Sequence, residues 1–431
     1  MLHDSWHSDW ADVALRFFPF VLLLELPVQA AVMLGAARYW WRQRTGGQSL
    51  TARAPRVSCI ITCYSEGADV RKTIASLTEQ IYPGHIEMLA IVDGSHRNAA
   101  TADAVRTMLT EVNRRPLRSL ELVGKVQRGG RVSSLNQGLA LARGDIVFAL
   151  DGDTSFDNDM VRNVARHFGD ANVVAVSGNL RVRNALQTLV TRLQALEYML
   201  SIHLSRTGLD QFNAVNNISG AFGAFRASFL RKIGGWDSGT AEDLDLTLRI
   251  KKYFARHPAL RIRFEPRAVG HTDAPETLRQ FLNQRLRWDG DLSYLYLRKY
   301  RDALRPSLLG WRNFLGFVWT GLLFQVALPF VVLIYMTLVF WLYPPGHVLG
   351  VLAFVYVFYW LLTLVMYAQY CWQLSERKLA DLRFWWVTAF FPAFAFITRI
   401  WNALATLAEL FTRSHLDSSM APWWVLRKTK Y

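Results

Sequence analysis

Hydrophobic positions in this chain fall into two regimes. Long apolar blocks lie near its ends, and short apolar runs alternate with amphipathic stretches between them. The long blocks are Phe17–Ala37, Phe314–Tyr343, Val348–Trp372 and Phe384–Phe411, each long enough for the roughly 20 residues that cross a bilayer as a helix. The second and third contain no charged residue; the fourth carries Arg399, Glu409 and a helix breaker, Pro392. That block reads as a kinked span or as an interfacial segment that turns back. Between about Val57 and Arg305 the pattern predicts strands at Val57–Cys63, Ile86–Val92, Leu120–Val123, Ile146–Leu150 and Val173–Ser177. It predicts helices at Ala68–Gln80, Ala99–Asn113 and Ser133–Ala142. Such alternation gives a mostly parallel α/β sheet, whose ligands bind beyond the carboxyl ends of its strands. Two further stretches, Gln187–Arg206 and Glu276–Asp289, read as amphipathic interfacial helices. The expected organisation is an N-terminal membrane segment (1–44, spanning about 17–37), a cytoplasmic α/β domain (45–305) and a C-terminal membrane region (306–431, with spans at about 314–343, 348–372 and 384–411).

Charge orients this map. Asp4, Asp9 and Asp12 precede the first block, with no Lys or Arg before Arg16, and Arg38, Arg42, Arg44, Arg53 and Arg56 follow it. Basic residues stay on the cytoplasmic side, so the N-terminus is expected outside and the central region in the cytoplasm of a multi-pass inner (plasma) membrane protein. The Arg377, Lys378, Arg383 cluster also falls inside on this map. A signal peptide is not expected, since no cleavage-site pattern follows the first block. Glu25, within that block, is expected to face a neighbouring helix. A 52% hydrophobic share with 16 Trp, 15 Tyr and 26 Phe excludes disorder. Cys59, Cys63 and Cys371 are too few for a disulfide framework or a zinc site and read as buried hydrophobes. The net charge of +15 favours anionic lipid and an anionic substrate. Nucleic acid is not expected, since no basic run is interleaved with aromatics.

Candidate chemistry collects at strand ends. The second predicted strand runs into Asp93-Gly94-Ser95 and the fourth into Asp151-Gly152-Asp153, with Gly152 expected to let the backbone bend. Paired carboxylates without nearby Cys or His suit hard cations, Mg²⁺ or Mn²⁺, completed by substrate phosphates. Farther on, Gly234-Gly235-Trp236-Asp237 precedes Thr240-Ala241-Glu242-Asp243 at a helix start. Carboxylates there serve either as capping groups or as a general base toward an acceptor hydroxyl. Gln284-Arg285-Leu286-Arg287-Trp288 lies on the second amphipathic stretch. There Arg287 can neutralise a diphosphate, and Trp288 can anchor at the interface or floor a sugar ring.

In order, these motifs resemble the membrane-integrated, processive family 2 glycosyltransferases, which include the cellulose, chitin, hyaluronan and poly-N-acetylglucosamine synthases. Within that family, Gly178-Asn179-Leu180-Arg181-Val182-Arg183 and Ser219-Gly220-Ala221-Phe222-Gly223-Ala224-Phe225-Arg226 are similar to segments of the poly-β-1,6-N-acetylglucosamine and chitooligosaccharide synthases. Gly130-Arg131 stands where that group usually has Gly-Lys, and Ala241 where Thr is usual. Asp289-Gly290-Asp291 makes the segment after Trp288 more acidic than the pattern.

The resemblance implies a GT-A (Rossmann-like) catalytic domain resting on interfacial helices. It implies that Asp93, Asp151, Arg131, Gln284 and Arg287 bind the nucleotide-sugar and that Asp153 binds the metal. Asp243, beside Glu242, would be the base, and Trp288 and Gly220 would line the acceptor site. The implied activity is an inverting hexosyltransferase that builds a β-linked exopolysaccharide, of the kind found in biofilms. The implied donor is a UDP-sugar, UDP-N-acetylglucosamine, and the growing polysaccharide would be exported as it is made. Membrane lipid and a small membrane accessory subunit are the implied partners. Two other readings are a non-processive transferase acting on a polyprenyl phosphate or glycolipid, and a non-catalytic scaffold or nucleotide-sugar sensor. The Gln-Arg-Leu-Arg-Trp run argues against the first and the intact carboxylates against the second.

Overall fold

The computed structural model describes residues 24–45, 54–237, 241–302 and 304–416. The expected first span therefore falls partly outside the described residues, as does Thr240.

Eight strands build one sheet: β1 (Val57–Cys63), β2 (Ile86–Val92), β3 (Arg118–Gly124), β4 (Ile146–Asp151), β5 (Ser155–Phe156), β6 (Val173–Val182), β7 (Phe222–Arg226) and β8 (Arg261–Thr272). Their order is β3-β2-β1-β4-β7-β6-β8-β5. Strands β3, β2, β1 and β4 are parallel, whereas β7 runs antiparallel to β4 and β6. The sheet is therefore more mixed than the sequence pattern predicts. β1 and β2 are buried along their whole length, as their unbroken apolar runs require of strands covered on both faces. Odd and even positions feed two cores. Ile61, Phe148 and Phe222 face one, and Ile60, Val147 and Leu135 face the other.

β7 and β8 escape a pattern reading for identifiable reasons. β7 is short, and its apolar residues are interrupted by Gly223. β8 alternates Arg and Glu with apolar residues and contains Pro266. The ladder tolerates this proline because the register slips there, from Gly178 opposite Glu265 to Asn179 opposite Val269, a bulge of the kind that admits proline. Asn179 Nδ2 donates to the bulged Pro266 carbonyl (3.1 Å).

A third apolar cluster joins the helix Leu26–Thr45 (Val32, Ala36), the amphipathic stretch (Leu196, Leu200, Leu204) and the C-terminal helices (Tyr370, Phe394). Among the described residues three helices are long and apolar enough to cross a membrane: Trp311–Leu342, Pro345–Gln373 and Phe391–Thr412. Pro392 does not kink the last. It sits in the first turn of Phe391–Thr412, after a 3-10 turn at Trp385–Ala389, where proline's missing N–H costs nothing. Arg399 and Glu25, the charges that weaken the apolar blocks, pair with each other: Arg399 Nη1 donates to Glu25 Oε1 (2.8 Å) and Tyr359 Oη to Glu25 Oε2 (2.7 Å). Cys59, Cys63 and Cys371 are free and buried.

The first helix crosses Ser205–Asp210 with backbone nearly on backbone. A Cβ on Gly35 would lie 2.3 Å from the Gly208 carbonyl oxygen, and one on Gly208 would lie 2.2 Å from that of Val32. Neither backbone can yield as a flexible side chain would, so Gly35→Leu is expected to cost about 1–3 kcal/mol through overpacking. Gly350→Leu, at a position with nothing within 4 Å, should leave the melting temperature unchanged. Thermal melts of the two variants in one detergent check this.

Candidate active site

The site begins with the turns that follow β2, β1 and β4. After β2, Gly94 adopts φ +64°, a conformation that favours glycine. Asp93 is buried, and its carboxylate accepts from Lys125 Nζ (2.6 Å), Gly129 N (2.8 Å) and Gly130 N (2.7 Å). Asp93 thereby fixes the turn at Gly129–Gly130 that opens the helix Gly130–Leu141 and aims Arg131. One of the carboxylate's roughly four acceptor positions is left.

Arg131 reaches four groups. Its Nε donates to Glu242 Oε1 (2.5 Å), Nη1 to Asp151 Oδ1 and to Thr62 Oγ1 (2.9 Å), and Nη2 to the Gly220 carbonyl (2.6 Å). Thr62 and Asp151 are opposite one another in the β1–β4 register, so adjacent strand ends present them together. Burial alone would lower the Arg131 pKa, but Asp151 and Glu242 outweigh it and raise it.

Asp153 lies two residues past Asp151, with its backbone carbonyl held by Arg183 Nη2 (3.1 Å). Gly152 is there for space rather than for a bend. A Cβ would stand 3.0 Å from the Thr62 carbonyl oxygen and 3.2 Å from Glu66 Cδ. Glu66, just after β1, escapes the sequence reading and is a third strand-end carboxylate; its Oε2 is buried without a hydrogen-bond partner. Burial raises the pKa of Glu66, with Asp153 and Asp151 adding to it, and burial followed by Asp151 raises that of Asp153. No group of three His, Cys, Asp or Glu side chains set to hold a metal is found among the described residues. What is present is excess negative charge on oxygen donors, which fits a hard divalent cation that takes its remaining ligands from a diphosphate.

On the other side, Ala241 holds φ +44°, a strained value for a residue with a Cβ, just before the helix Glu242–Lys251. Asp243 Oδ2 accepts from Asn217 Nδ2 and from Gly220 N (both 3.1 Å), and Oδ1 accepts from Leu244 N (2.7 Å). Asn217 is a second residue that sequence motifs do not reveal. Burial raises the Glu242 pKa, against the pull of Arg131. The Gly220 amide and carbonyl thus tie Asp243 to Arg131, and the loop bearing Gly220 joins the two halves of the cleft.

Gln284, Arg287 and Trp288 lie on the helix Leu278–Tyr294, which Thr277 caps through Gln280 N (3.3 Å). No hydrogen bond or ion pair joins these three to Asp151, Asp153 or Asp243 among the described residues. Trp288 is exposed, with the Arg285 guanidinium 5.2 Å from its ring centroid. Arg285 in turn donates to Glu197 (2.5 Å) on the other amphipathic stretch. Of the Gly178–Arg183 segment, Arg181 binds the buried Asp381 and Arg183 binds Asp273 (2.6 Å). Arg181 therefore ties the sheet to the C-terminal segment, and Arg183 ties the ends of β6, β8 and β5 to one another.

Residues 146–400 match the family described as glycosyl transferase family group 2. The chain belongs to that family and is a glycosyltransferase with a GT-A-like mixed-sheet domain. The chain is 26% identical over 303 residues to the poly-β-1,6-N-acetyl-D-glucosamine synthase of Staphylococcus epidermidis, covering 68% of this chain and 70% of that protein. It is 29% identical over 249 residues to the probable glycosyltransferase YdaM of Bacillus subtilis, covering 57% of each. Among solved structures it is similar in fold to the mannosyltransferase PcManGT from Pyrobaculum calidifontis, in complex with GDP-Man and Mn²⁺. The TM-score is 0.56 at 17% identity, over 90% of this chain and 98% of that one.

The acidic residue after Trp288 acquires a meaning. Asp289 is buried and its Oδ2 has no partner. Burial, opposed by Arg285 and reinforced by Glu197, raises its pKa from 3.8 to about 7. A carboxyl raised in the folded state gives stability that is complete below pH 3.8 and is lost as pH rises to about 7. Asp289→Asn keeps the shape of the neutral carboxyl. It should melt like the parent at the acid end of that window and above it beyond pH 7, which parallel melts across the range test.

Proposed function

We propose that this chain is an inverting, processive glycosyltransferase that polymerises a β-linked polysaccharide from UDP-N-acetylglucosamine and feeds it across the inner membrane. The observation that carries this reading is Arg131, whose single guanidinium links Asp151 on the donor side with Glu242 and the Gly220 loop on the acceptor side. Two substrates held in one cleft is the arrangement a transfer reaction needs. The likeness to the Staphylococcus epidermidis synthase supports a polysaccharide product. The spans at the C-terminal side support placing the site at a membrane, and the arginines from Arg38 to Arg56 support an α/β domain on the cytoplasmic side with the N-terminus outside.

In this mechanism Asp93 shapes the uridine pocket, through the Gly129–Gly130 turn it orders and through its remaining acceptor position. Asp151 and Arg131 line the nucleotide side. Asp153, with Glu66 alongside, would hold Mg²⁺ or Mn²⁺, and the bound cation supplies charge neutralisation of the departing diphosphate. Asp243 has three of its acceptor positions filled by N–H donors that fix its orientation, and one remains for the acceptor hydroxyl. As that oxygen attacks the anomeric carbon, the hydroxyl proton passes to Asp243. The bond from the anomeric carbon to the diphosphate oxygen breaks on the opposite face, UDP departs and the configuration inverts from α to β. Gln284 and Arg287 assist the diphosphate, and Trp288 floors the acceptor, when the Leu278–Tyr294 helix lies at the mouth of the cleft. A small membrane subunit is a fitting partner for the exposed apolar faces of the spans.

Asp243→Asn keeps the size of the side chain but cannot take a proton, and it turns an NH₂ toward one of the N–H donors that the carboxylate accepts. Turnover per folded molecule should fall roughly 10²–10⁴-fold, with UDP affinity near the parent value and a lower melting temperature. Near-parental turnover per folded molecule would leave Asp243 as a capping residue only. Sizing the product of the parent enzyme separates processive synthesis from addition of one sugar to a lipid phosphate.

EDTA should abolish turnover, and added Mg²⁺ or Mn²⁺ should restore it. Asp153→Asn should raise the cation concentration needed for half-maximal rate. Full activity in excess chelator would remove the metal from the reading.

A further inference from the structure

Away from the carboxylates, a cavity of about 480 Å³ opens among Arg38, Arg42, Arg261, Arg263, Arg312 and Asp210. The arginines come from three separate elements. Arg38 and Arg42 are one turn apart on the helix Leu26–Thr45. Arg261 and Arg263 are two apart on β8 and share a face. Arg312 stands in the first turn of the helix Trp311–Leu342.

The charge in this cavity is poorly balanced from within. Its one acid, Asp210, is taken by Arg263 (2.9 and 2.8 Å) and by the Phe264 amide (2.9 Å). Arg42 has only a long bond to Gln211 Oε1 (3.4 Å). Arg38, Arg261 and Arg312 make no ion pair among the described residues. Arg38, Arg42, Arg261 and Arg312 are exposed at the cavity, so their guanidinium groups are open to a ligand from outside, and planar guanidinium forks match phosphate oxygens.

The surroundings choose the source of that phosphate. Trp41 and Trp311 adjoin Arg42 and Arg312 in sequence and are 64% and 68% exposed. Exposed tryptophan beside arginine at the end of an apolar helix marks the headgroup layer of a membrane. We infer that this cavity binds the phosphate headgroup of an anionic phospholipid, seated between the first helix, the start of a span and the edge region of the catalytic sheet. The lipid would then tether the sheet at the opening residue of β8. The opposite end of β8 leads into Asp273, which holds Arg183 against the Asp153 carbonyl. The inference rests on the membrane placement proposed above but not on the reaction, and its test is of binding alone.

The full chain in mild detergent is offered phosphatidylglycerol or phosphatidylcholine, and retained lipid is read by native mass spectrometry. The parent should retain phosphatidylglycerol and not phosphatidylcholine. Neutralising an arginine at an anionic surface lowers affinity roughly fivefold. Arg38→Gln combined with Arg261→Gln should therefore lower retention about twenty-five-fold at an unchanged melting temperature. Arg301→Gln with Arg305→Gln removes the same charge outside the cavity and should change retention little. Equal losses in the two pairs would reduce the cavity to diffuse surface attraction and overturn the site. Inorganic pyrophosphate is the soluble probe. If it binds the parent, is lost in the cavity pair, and phosphatidylglycerol is not retained, the arginines serve a soluble phosphate and the lipid assignment falls. Binding of neither probe overturns the proposal outright.

Discussion

Everything at the centre of this molecule turns on where one guanidinium is held. Arg131 meets the ends of β1 and β4, the first turn of the helix Glu242–Lys251 and the Gly220 loop, and so joins the strand-end side of the cleft to the helix side. A lysine at this position would present a compact ammonium on a flexible stem, and could not reach in three fixed directions at once. The arginine therefore does structural work that a Gly-Lys pair could not do in the same way. Its own position is inherited from Asp93. That carboxylate holds the Gly129 and Gly130 amides, and Gly130 can take φ +77° because it has no Cβ to clash. Order runs from a buried strand end, through a turn, to the side chain that joins donor and acceptor halves.

The parts of this arrangement that sequence reveals are those written in periodicity and in strand-end acids. β1, β2 and β4 are continuous apolar runs, so their termini, and with them Asp93, Asp151 and Asp153, can be placed without coordinates. Asp243 and Glu242 are legible as a helix start. Glu66 is not, because it stands three residues past the end of β1 with no motif around it, and its importance comes from lying over Gly152 across a strand boundary. Asn217 is invisible for a similar reason: it is a polar residue in an irregular loop whose only distinction is the carboxylate it faces. β8 hides because a bulge at Pro266 and alternating arginines disguise a strand as polar coil. The fourth apolar block is expected as a span, and only the kink at its proline is not found. A proline looks like an interruption until the helix start is known, and Arg399 looks unaffordable in lipid until Glu25 and Tyr359 are seen beside it.

That contrast between paired and unpaired charge separates scaffold from site. Several buried acids away from the cleft have a full complement of partners. Asp381 has Arg181, Tyr370 and Ser375. Asp245 has Arg249, Lys299 and Tyr300. Asp210 has both Arg263 and a backbone amide. A buried carboxylate stripped of such partners is costly, and the chain has 49 Lys and Arg from which to provide them. Around Gly152 it does not do so: Glu66, Asp151 and Asp153 crowd together, and among the described residues Arg131 is the one cation bound directly to any of their carboxylates, through Asp151. In a protein of net charge +15, a local surplus of negative charge at the carboxyl ends of the strands is held by the fold against its electrostatic cost. On the proposed function, a divalent cation accompanying the donor's diphosphate would relieve that surplus. The same imbalance with opposite sign stands in the arginine cavity beside the first helix. On the functions proposed above, a ligand from outside would complete the electrostatics in each place, whereas Asp210, Asp245 and Asp381 are completed by the fold itself.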